Sequence, residues 1–541
     1  MDKPFAITLD PGSSLANKTG SWRTERPVYV DRLPPCNAQC PAGEDIQGWL
    51  FHAESGDYQA AWRHLVRDNP FPAIMGRVCY HFCEGACNRA KLDAAVGINS
   101  VERFLGDEAL KQGWRFDAPA ADSGKQVLVV GAGPSGMSAA YHLKRLGHGV
   151  TVMEAGPMAG GMMRFGIPKY RLPREVLDAE MQRIVALGVS LKLNAKVFDL
   201  AQTMKDGGYD AAFLAVGAHI ARRAYIPAKD SSRILDAVQV LRSMEGEDKP
   251  MLGRRVVVYG GGNTAIDVAR TAKRLGAEEA MIVYRRTREK MPAHDFEVQD
   301  ALEEGVLIKW LSTITEAGEG AITVERMELD EKGVPQPTGE FETLETDSVV
   351  LALGQDVDLS LLDRVPGMEI EGGVVKVGPN MMTSHPGIFA GGDMVPAERT
   401  VTVAIGHGKK AARHIDAWLR GEAHDPGPKH ELAEFGKLNT WYYSDASKTV
   451  RPMLDMQKRI TSFDEVVMAL DETTALFEAR RCLSCGNCFE CDNCYGVCPD
   501  NAVIKLGPGN RFRFNYDYCK GCGVCAAECP CGAIRMVPEE I

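Results

Sequence analysis

All sixteen cysteines of this chain fall in two blocks, five between Cys36 and Cys87 and eleven between Cys482 and Cys531, with none in the long stretch that separates them. Thiols that merely filled a core would scatter. The N-terminal MDKPFAITLD has neither a basic stretch nor an apolar run of secretory type, so a cytoplasmic, reducing setting is expected, where CxxC and CxxxC spacings hold metal rather than disulfides. Two-residue spacers let successive thiolates face one centre. The empty middle excludes a redox-active dithiol anywhere in the central part of the chain. A formal net charge of −11 argues against a nucleic-acid partner, and the absence of a run of about eighteen apolar residues argues against a membrane helix. At roughly 100–200 residues per domain, 541 residues predict several domains.

The C-terminal block carries CxxCxxCxxxCP twice, at Cys488, Cys491, Cys494 and Cys498, then at Cys519, Cys522, Cys525 and Cys529. The doubled motif resembles bacterial ferredoxins with two [4Fe-4S] clusters; a zinc ribbon is the other occupant of such spacing. In the ferredoxin pattern the fourth cysteine of each run ligates the neighbouring cluster. The resemblance thus implies one cluster on Cys488, Cys491, Cys494 and Cys529, and a second on Cys519, Cys522, Cys525 and Cys498. Cys482, Cys485 and Cys531 are left over, and nothing in their spacing separates ligands from spare thiols.

Between the blocks, QVLVVGAGPSGMSAAYHLKRLGHGVTVME reads as strand, glycine turn, amphipathic helix and a second strand ending in an acid. Gly131 makes the turn, Gly133 lets backbone approach a pyrophosphate, Gly136 lets helix and strand pack, and Glu154 stands where a carboxylate accepts from a ribose hydroxyl. A second unit, RRVVVYGGGNTAIDVARTAKRLGAEEAMIVYRR, has Gly260, Gly262 and Ala265 in the same places but ends in Arg285 and Arg286. Guanidinium groups there suit a 2′-phosphate, which favours NADP(H) over NAD(H); a solvated basic loop is the plainer account. Ser135 lacks the GxSxG frame of a nucleophile. The twelve histidines form no HxxxH or HxH pair and are read as structural.

Further on, GIFAGGD leads into TVTVAIGHGKKAARHI, a helix opened by Thr400. The order resembles flavoproteins in which a nicotinamide domain is inserted into an FAD domain; there the late aspartate, here Asp393 after Gly392, holds the ribityl chain. The motifs CPAGEDIQGWL, GRVCYHFCEGAC, VERFL, GAGPSG, AGGMMRFGIPKYRLP, GGGNTAIDVAR, YRRTREKMPA and AGGD, in that order, resemble the glutamate synthase small (β) subunit family, which includes the N-terminal part of dihydropyrimidine dehydrogenase. The resemblance implies FAD on the first dinucleotide unit, with Gly160 and Gly161 in its flavin-approach loop, and NAD(P)H on the second. It also implies an N-terminal helical domain carrying iron–sulfur clusters.

One departure stands out. Members of that family usually carry an extra RCLxC segment ahead of the cysteine matching Cys36, and here it is absent, whereas EARRCLSC stands just before the ferredoxin motif. The resemblance then implies that Cys482 and Cys485 fold back to Cys36 and Cys87, leaving Cys40, Cys79 and Cys83 with Glu102 for another cluster; one N-terminal cluster on four of its five cysteines is the simpler alternative. Four [4Fe-4S] clusters are expected, two of them in the ferredoxin domain.

The expected architecture is α/β and multidomain. Residues 1–120 form a helical iron–sulfur domain, 121–225 and 350–422 an FAD domain, 226–349 an inserted NAD(P)H domain, 423–480 a linker with a helix, and 481–541 an α+β ferredoxin domain. The expected activity is electron transfer between NAD(P)H, FAD and the clusters, to or from a partner oxidoreductase subunit in a hetero-oligomer, a 2-oxoacid:acceptor oxidoreductase being the example. The alternatives are the NADPH-dependent small subunit of glutamate synthase and a stand-alone NAD(P)H:ferredoxin oxidoreductase.

Overall fold

The computed structural model describes residues 18–222, 226, 227 and 233–539; MDKPFAITLD lies outside them. Four helices, Ile46–Glu54, Tyr58–Leu65, Pro72–Val78 and Ile98–Lys111, make the N-terminal domain around fully buried Trp49, Trp62 and Phe71. Asp45 and Asp57 start the first two by accepting from the amides of Gly48 and Ala60 at 3.2 and 3.0 Å.

Two parallel five-stranded sheets follow, each reading as the apolar runs that burial on both faces demands. The first, in spatial order, is Ile388–Ala390, Ala211–Leu214, Gln126–Val130, Gly149–Met153 and Ser190–Lys192. The second is Leu307–Trp310, Glu279–Tyr284, Arg255–Tyr259, Ser348–Leu351 and Ile234–Asp236, with an antiparallel three-stranded sheet beside it. All of the second sheet lies in the chain between two strands of the first, so the domains are nested. The expected boundary at residue 350 cuts a strand that belongs wholly to the inserted sheet. The two crossing segments, Ile220–Ala221 and Gln355–Asp356, pair antiparallel.

The chain's two ends are joined. Glu25–Tyr29 pairs antiparallel with Ile534–Pro538, so residues grouped above with the N-terminal domain complete the ferredoxin module instead. Within that module Val503–Lys505 pairs with Phe512–Phe514. Residues 430–470 form a largely exposed strap tied to the other domains, with Leu432 bridged to Leu33 and the amides of Asn439 and Val466 donated to the carbonyls of Pro530 and Tyr170. Towards the end of the expected linker stands the helix Glu472–Ala479, which Asp471 caps by accepting from Thr474 N at 2.8 Å. Among the described residues no helix is long and apolar enough to cross a membrane.

The strap grips the inserted domain through charge. Glu304, wholly buried, accepts from Arg270 and Arg274 of the nucleotide helix at 2.7 and 2.6 Å and from Arg459 of the strap at 3.3 Å. Burial alone would raise its carboxyl, but the donors Arg274 and Arg270 hold it at about 2. Glu304→Ala leaves the buried Arg274 without its carboxylate and weakens the pairing of Arg270 and Arg459, so a stability loss of about 3–5 kcal/mol is expected, read as a lower chemical denaturation midpoint. A midpoint within error of the parent's would mean that the arginines find other partners.

Candidate functional site

The first dinucleotide turn joins the strand Gln126–Val130 to the helix Pro134–Arg145. Gly131 has φ +105°, and a Cβ on it would collide with the Ala215 carbonyl oxygen. A Cβ on Gly136 would collide with the Gly131 carbonyl oxygen, whereas at Gly133 it would meet only the Gly161 Cα, at 3.9 Å. The turn is therefore tight where backbone crosses and open where a ligand would lie. Glu154 accepts from the amides of Ala132 and Gly156 at 2.8 Å each, so its carboxylate also holds the turn together. Gly160 donates its amide to the Ala132 carbonyl at 2.9 Å, which brings the Gly160–Gly161 loop against the same turn.

Two more elements close on this cradle. Gly392, φ +71°, sits so that a Cβ would lie 3.1 Å from the Ser135 Cβ. Burial raises the carboxyl of the adjacent Asp393, which Arg399 opposes. Thr400 caps the helix Val401–Arg420 by accepting from Val403 N at 3.2 Å, leaving the Val401 and Thr402 amides at the helix's positive end. The Ser135 hydroxyl is buried there without a hydrogen-bond partner. An orphaned donor at a helix start, beside an open glycine, fits a pyrophosphate, so these residues fit FAD. Gly131→Ala is expected to abolish flavin retention, because alanine at φ +105° is strained as well as crowded; absorbance of the reconstituted protein reads it, and a normally yellow variant contradicts it.

The second turn repeats the geometry. Gly260 has φ +149° and its Cβ would collide with the Ala352 carbonyl oxygen; Gly262 faces open space, and Ala265 is buried in the helix Asn263–Arg274. Arg285 is exposed just past the strand Glu279–Tyr284, and Arg286 beside it has a buried Nε with no partner. That orphaned donor, where the 2′-phosphate lies in such folds, fits NADP(H).

No three His, Cys, Asp or Glu side chains among the described residues close on a single metal ion. The cysteines ring open space instead, as a multi-iron cluster requires. Cys36, Cys87, Cys482 and Cys485 line one pocket. Burial pushes the Cys36 thiol well up, and the neighbouring Cys482, Cys87 and Cys485 push it further. Cys498, Cys519, Cys522 and Cys525 line a second pocket. Cys488, Cys491, Cys494 and Cys529 form a third set, since the charge of Cys529 bears on each of the other three.

Cys40, Cys79 and Cys83 form the fourth. Burial, then the Glu102 carboxylate, pushes the Cys79 thiol to about 12. Glu102 is buried and accepts from Asn69 Nδ2 at 2.9 Å; Asn69 donates equally to Glu44, whose charge bears on Cys40 more than that of Glu102. Sequence reasoning missed Glu44, although it follows Cys40 within CPAGED. It also missed Thr402, whose hydroxyl lies 3.4 Å from Cys79 Sγ and joins the flavin-side helix to the nearest cysteine set. Its only sequence trace is an ordinary threonine in the first turn of a helix.

A model of the pyridine nucleotide-disulphide oxidoreductases matches residues 125–408. The chain belongs to that family. Unlike the family's name, it holds no cysteine between Cys87 and Cys482, hence no disulfide at the flavin. Models of dihydropyrimidine dehydrogenase domain II with its 4Fe-4S cluster, and of a 4Fe-4S binding domain, match residues 24–114 and 512–535. The NADP(+)-dependent formate dehydrogenase subunit beta of Moorella thermoacetica is 37% identical over 499 residues, 83% of this chain and 70% of that one. The NADPH-Fe(3+) oxidoreductase subunit beta of Geobacter sulfurreducens is 33% identical over 84% of this chain and 76% of its own. The glutamate synthase [NADPH] small chain of Escherichia coli is 33% identical over 71% and 89%. The protein is thus an NAD(P)H-dependent FAD and iron–sulfur oxidoreductase, related to proteins named as subunits of larger enzymes.

Proposed function

We propose that this chain is the NADP(H)-linked electron-transfer subunit of a larger oxidoreductase, with four [4Fe-4S] clusters in single file between its flavin site and its ferredoxin end. Cys40, Cys79, Cys83 and Glu102 hold the first, Cys36, Cys87, Cys482 and Cys485 the second, Cys488, Cys491, Cys494 and Cys529 the third, and Cys498, Cys519, Cys522 and Cys525 the last. The observation that carries this reading is the cavity walled by Cys36 and Cys87 from one end of the chain and Cys482 and Cys485 from the other. It supplies the station between the flavin-side set and the ferredoxin module.

The order follows from the neighbours. Thr402 ties the flavin-side helix to Cys79. The charges of Cys79, Cys40 and Cys36 all bear on Cys83, which supports setting the first two side by side. Tyr443 feels Cys531, Cys482, Cys485 and Cys491 together, which supports setting the second beside the third. When bound, flavin converts between hydride and single electrons and the clusters carry the latter. The chain's residues bind and align: Gly133, Ser135 and Asp393 at FAD, Gly262, Arg285 and Arg286 at NADP(H). Burial pushes up the thiols of Cys36, Cys40, Cys79, Cys83 and Cys482, and cationic iron would displace their protons.

The added ferredoxin module and the beta-subunit names of the relatives support a partner that performs the substrate chemistry. Anaerobic purification from the native host, with mass spectrometry of co-purifying chains and iron analysis, tests this. A substrate-oxidising partner and about sixteen irons per chain are expected. A glutaminase-bearing partner would assign the chain to glutamate synthesis, and about twelve irons would remove the second cluster.

A further inference from the structure

Two donors from outside the ferredoxin motif reach the third cysteine set. Tyr29 ends the strand Glu25–Tyr29, opposite Ile534, with its ring stacked on Phe514 at 4.9 Å and 18°. Its hydroxyl lies 3.3 Å from Cys494 Sγ. Cys531, buried and left over by every ligand count, has its Sγ 3.7 Å from that of Cys529. A ligating thiolate has no proton to give, so in both contacts the outside group donates. The tyrosine is held firmly: Thr19 Oγ1 donates to the Tyr518 carbonyl at 2.6 Å, and Arg23 donates to the carbonyls of Tyr516 and Cys519 at 2.6 and 3.0 Å.

We infer that Tyr29 and Cys531 are tuning residues that raise the reduction potential of the cluster held by Cys488, Cys491, Cys494 and Cys529, making it the station where a single electron rests on its way along the chain. The inference depends on the ligand assignment given above. Reduction adds negative charge to the cluster and its sulfurs, so a hydrogen bond donated to a ligand sulfur stabilises the reduced form more than the oxidised one. Two such donors on one cluster act in the same direction. The strand Glu25–Tyr29 therefore does more than lead into the helical domain: one of its side chains sets the energetics of a cluster bound more than 450 residues later.

The test is a redox titration, followed by electron paramagnetic resonance, of the anaerobically reconstituted full chain as parent, Tyr29→Phe, Cys531→Ala and the double variant. Phenylalanine keeps the stacked ring, so the strand stays in place. Each single change is expected to leave the iron content intact and move one cluster's potential negative, by about tenfold in its reduction equilibrium, ~59 mV for one electron. The double variant moves it further. Cys494→Ala should delete that same signal. Unshifted potentials in Tyr29→Phe and Cys531→Ala, with the signal still lost in Cys494→Ala, would overturn the inference alone. Full iron in Cys494→Ala would overturn the ligand assignment instead, and iron loss in Cys531→Ala would make Cys531 a ligand rather than a donor.

Discussion

Cys482→Ala and Cys485→Ala, singly and together, should each cost the protein about four of about sixteen irons while leaving FAD in place. The two thiols have no other evident task. They line one pocket with Cys36 and Cys87, and Asn88 Nδ2 lies 3.5 Å from Cys485 Sγ, a donor suited to a thiolate. The segment is also anchored with unusual care. Arg481 is 2% exposed, ion-paired with Glu478 and with Asp93 at 3.1 Å, and donates to the carbonyls of Ala94, Ala95 and Ala446 at 2.6, 3.1 and 3.0 Å. That many satisfied bonds on one buried guanidinium fixes a backbone position, as a ligand pair brought from a distant part of the chain requires. With the cluster gone, NADPH should still bleach the flavin, but the ferredoxin signals should no longer appear on the same timescale, because the station between them is missing. Unchanged iron in the double variant would show that the N-terminal cysteines close a cluster without help.

What could be read in the sequence was what is local. Gly131 and Gly260 occupy backbone conformations and collisions that only glycine tolerates, and their spacing is fixed by one turn, so the turns announced themselves. The cysteine runs did so for the same reason. The fold-back of Cys482 and Cys485 was legible only as a resemblance, because a pair roughly 400 to 450 residues from its partners leaves no periodic trace. Tyr29 gave none at all: its strand pairs with one at the other end of the chain, and a five-residue alternation next to a helical domain looks like a lead-in. The strap was read as a linker because Pro, Gly and charge suit a tether. Here two of the charged residues turn inward, Lys448 to Glu84 and Arg459 to Glu304, and composition cannot tell a solvated face from a buried ion pair. Glu44 was hidden by Glu102, since two buried carboxylates share Asn69 and only the resemblance singled one out.

The preference for NADP(H) should collapse when the basic end of the second strand is removed. A hydrogen bond to a charged group contributes about 1.5–3 kcal/mol, so Arg286→Ser should raise the KM for NADPH by about 10–150-fold, with kcat little changed. Arg285 is exposed and its share is screened by water and salt, so Arg285→Ser should cost less and lose its effect as ionic strength rises. Arg286 is the stronger case because its Nε is buried without a partner: the protein bears the cost of that unmet donor unless an anion arrives to meet it. The KM for NADH should hardly move, since the adenosine ribose of NADH offers hydroxyls there and no phosphate. Initial rates of dye reduction with each nucleotide separate the cases. A specific loss with NADPH assigns the two arginines to the 2′-phosphate. An equal loss with both nucleotides would mean that Arg286 supports the loop after Tyr284 rather than reading the ligand, and would move the source of nucleotide preference elsewhere on the inserted domain.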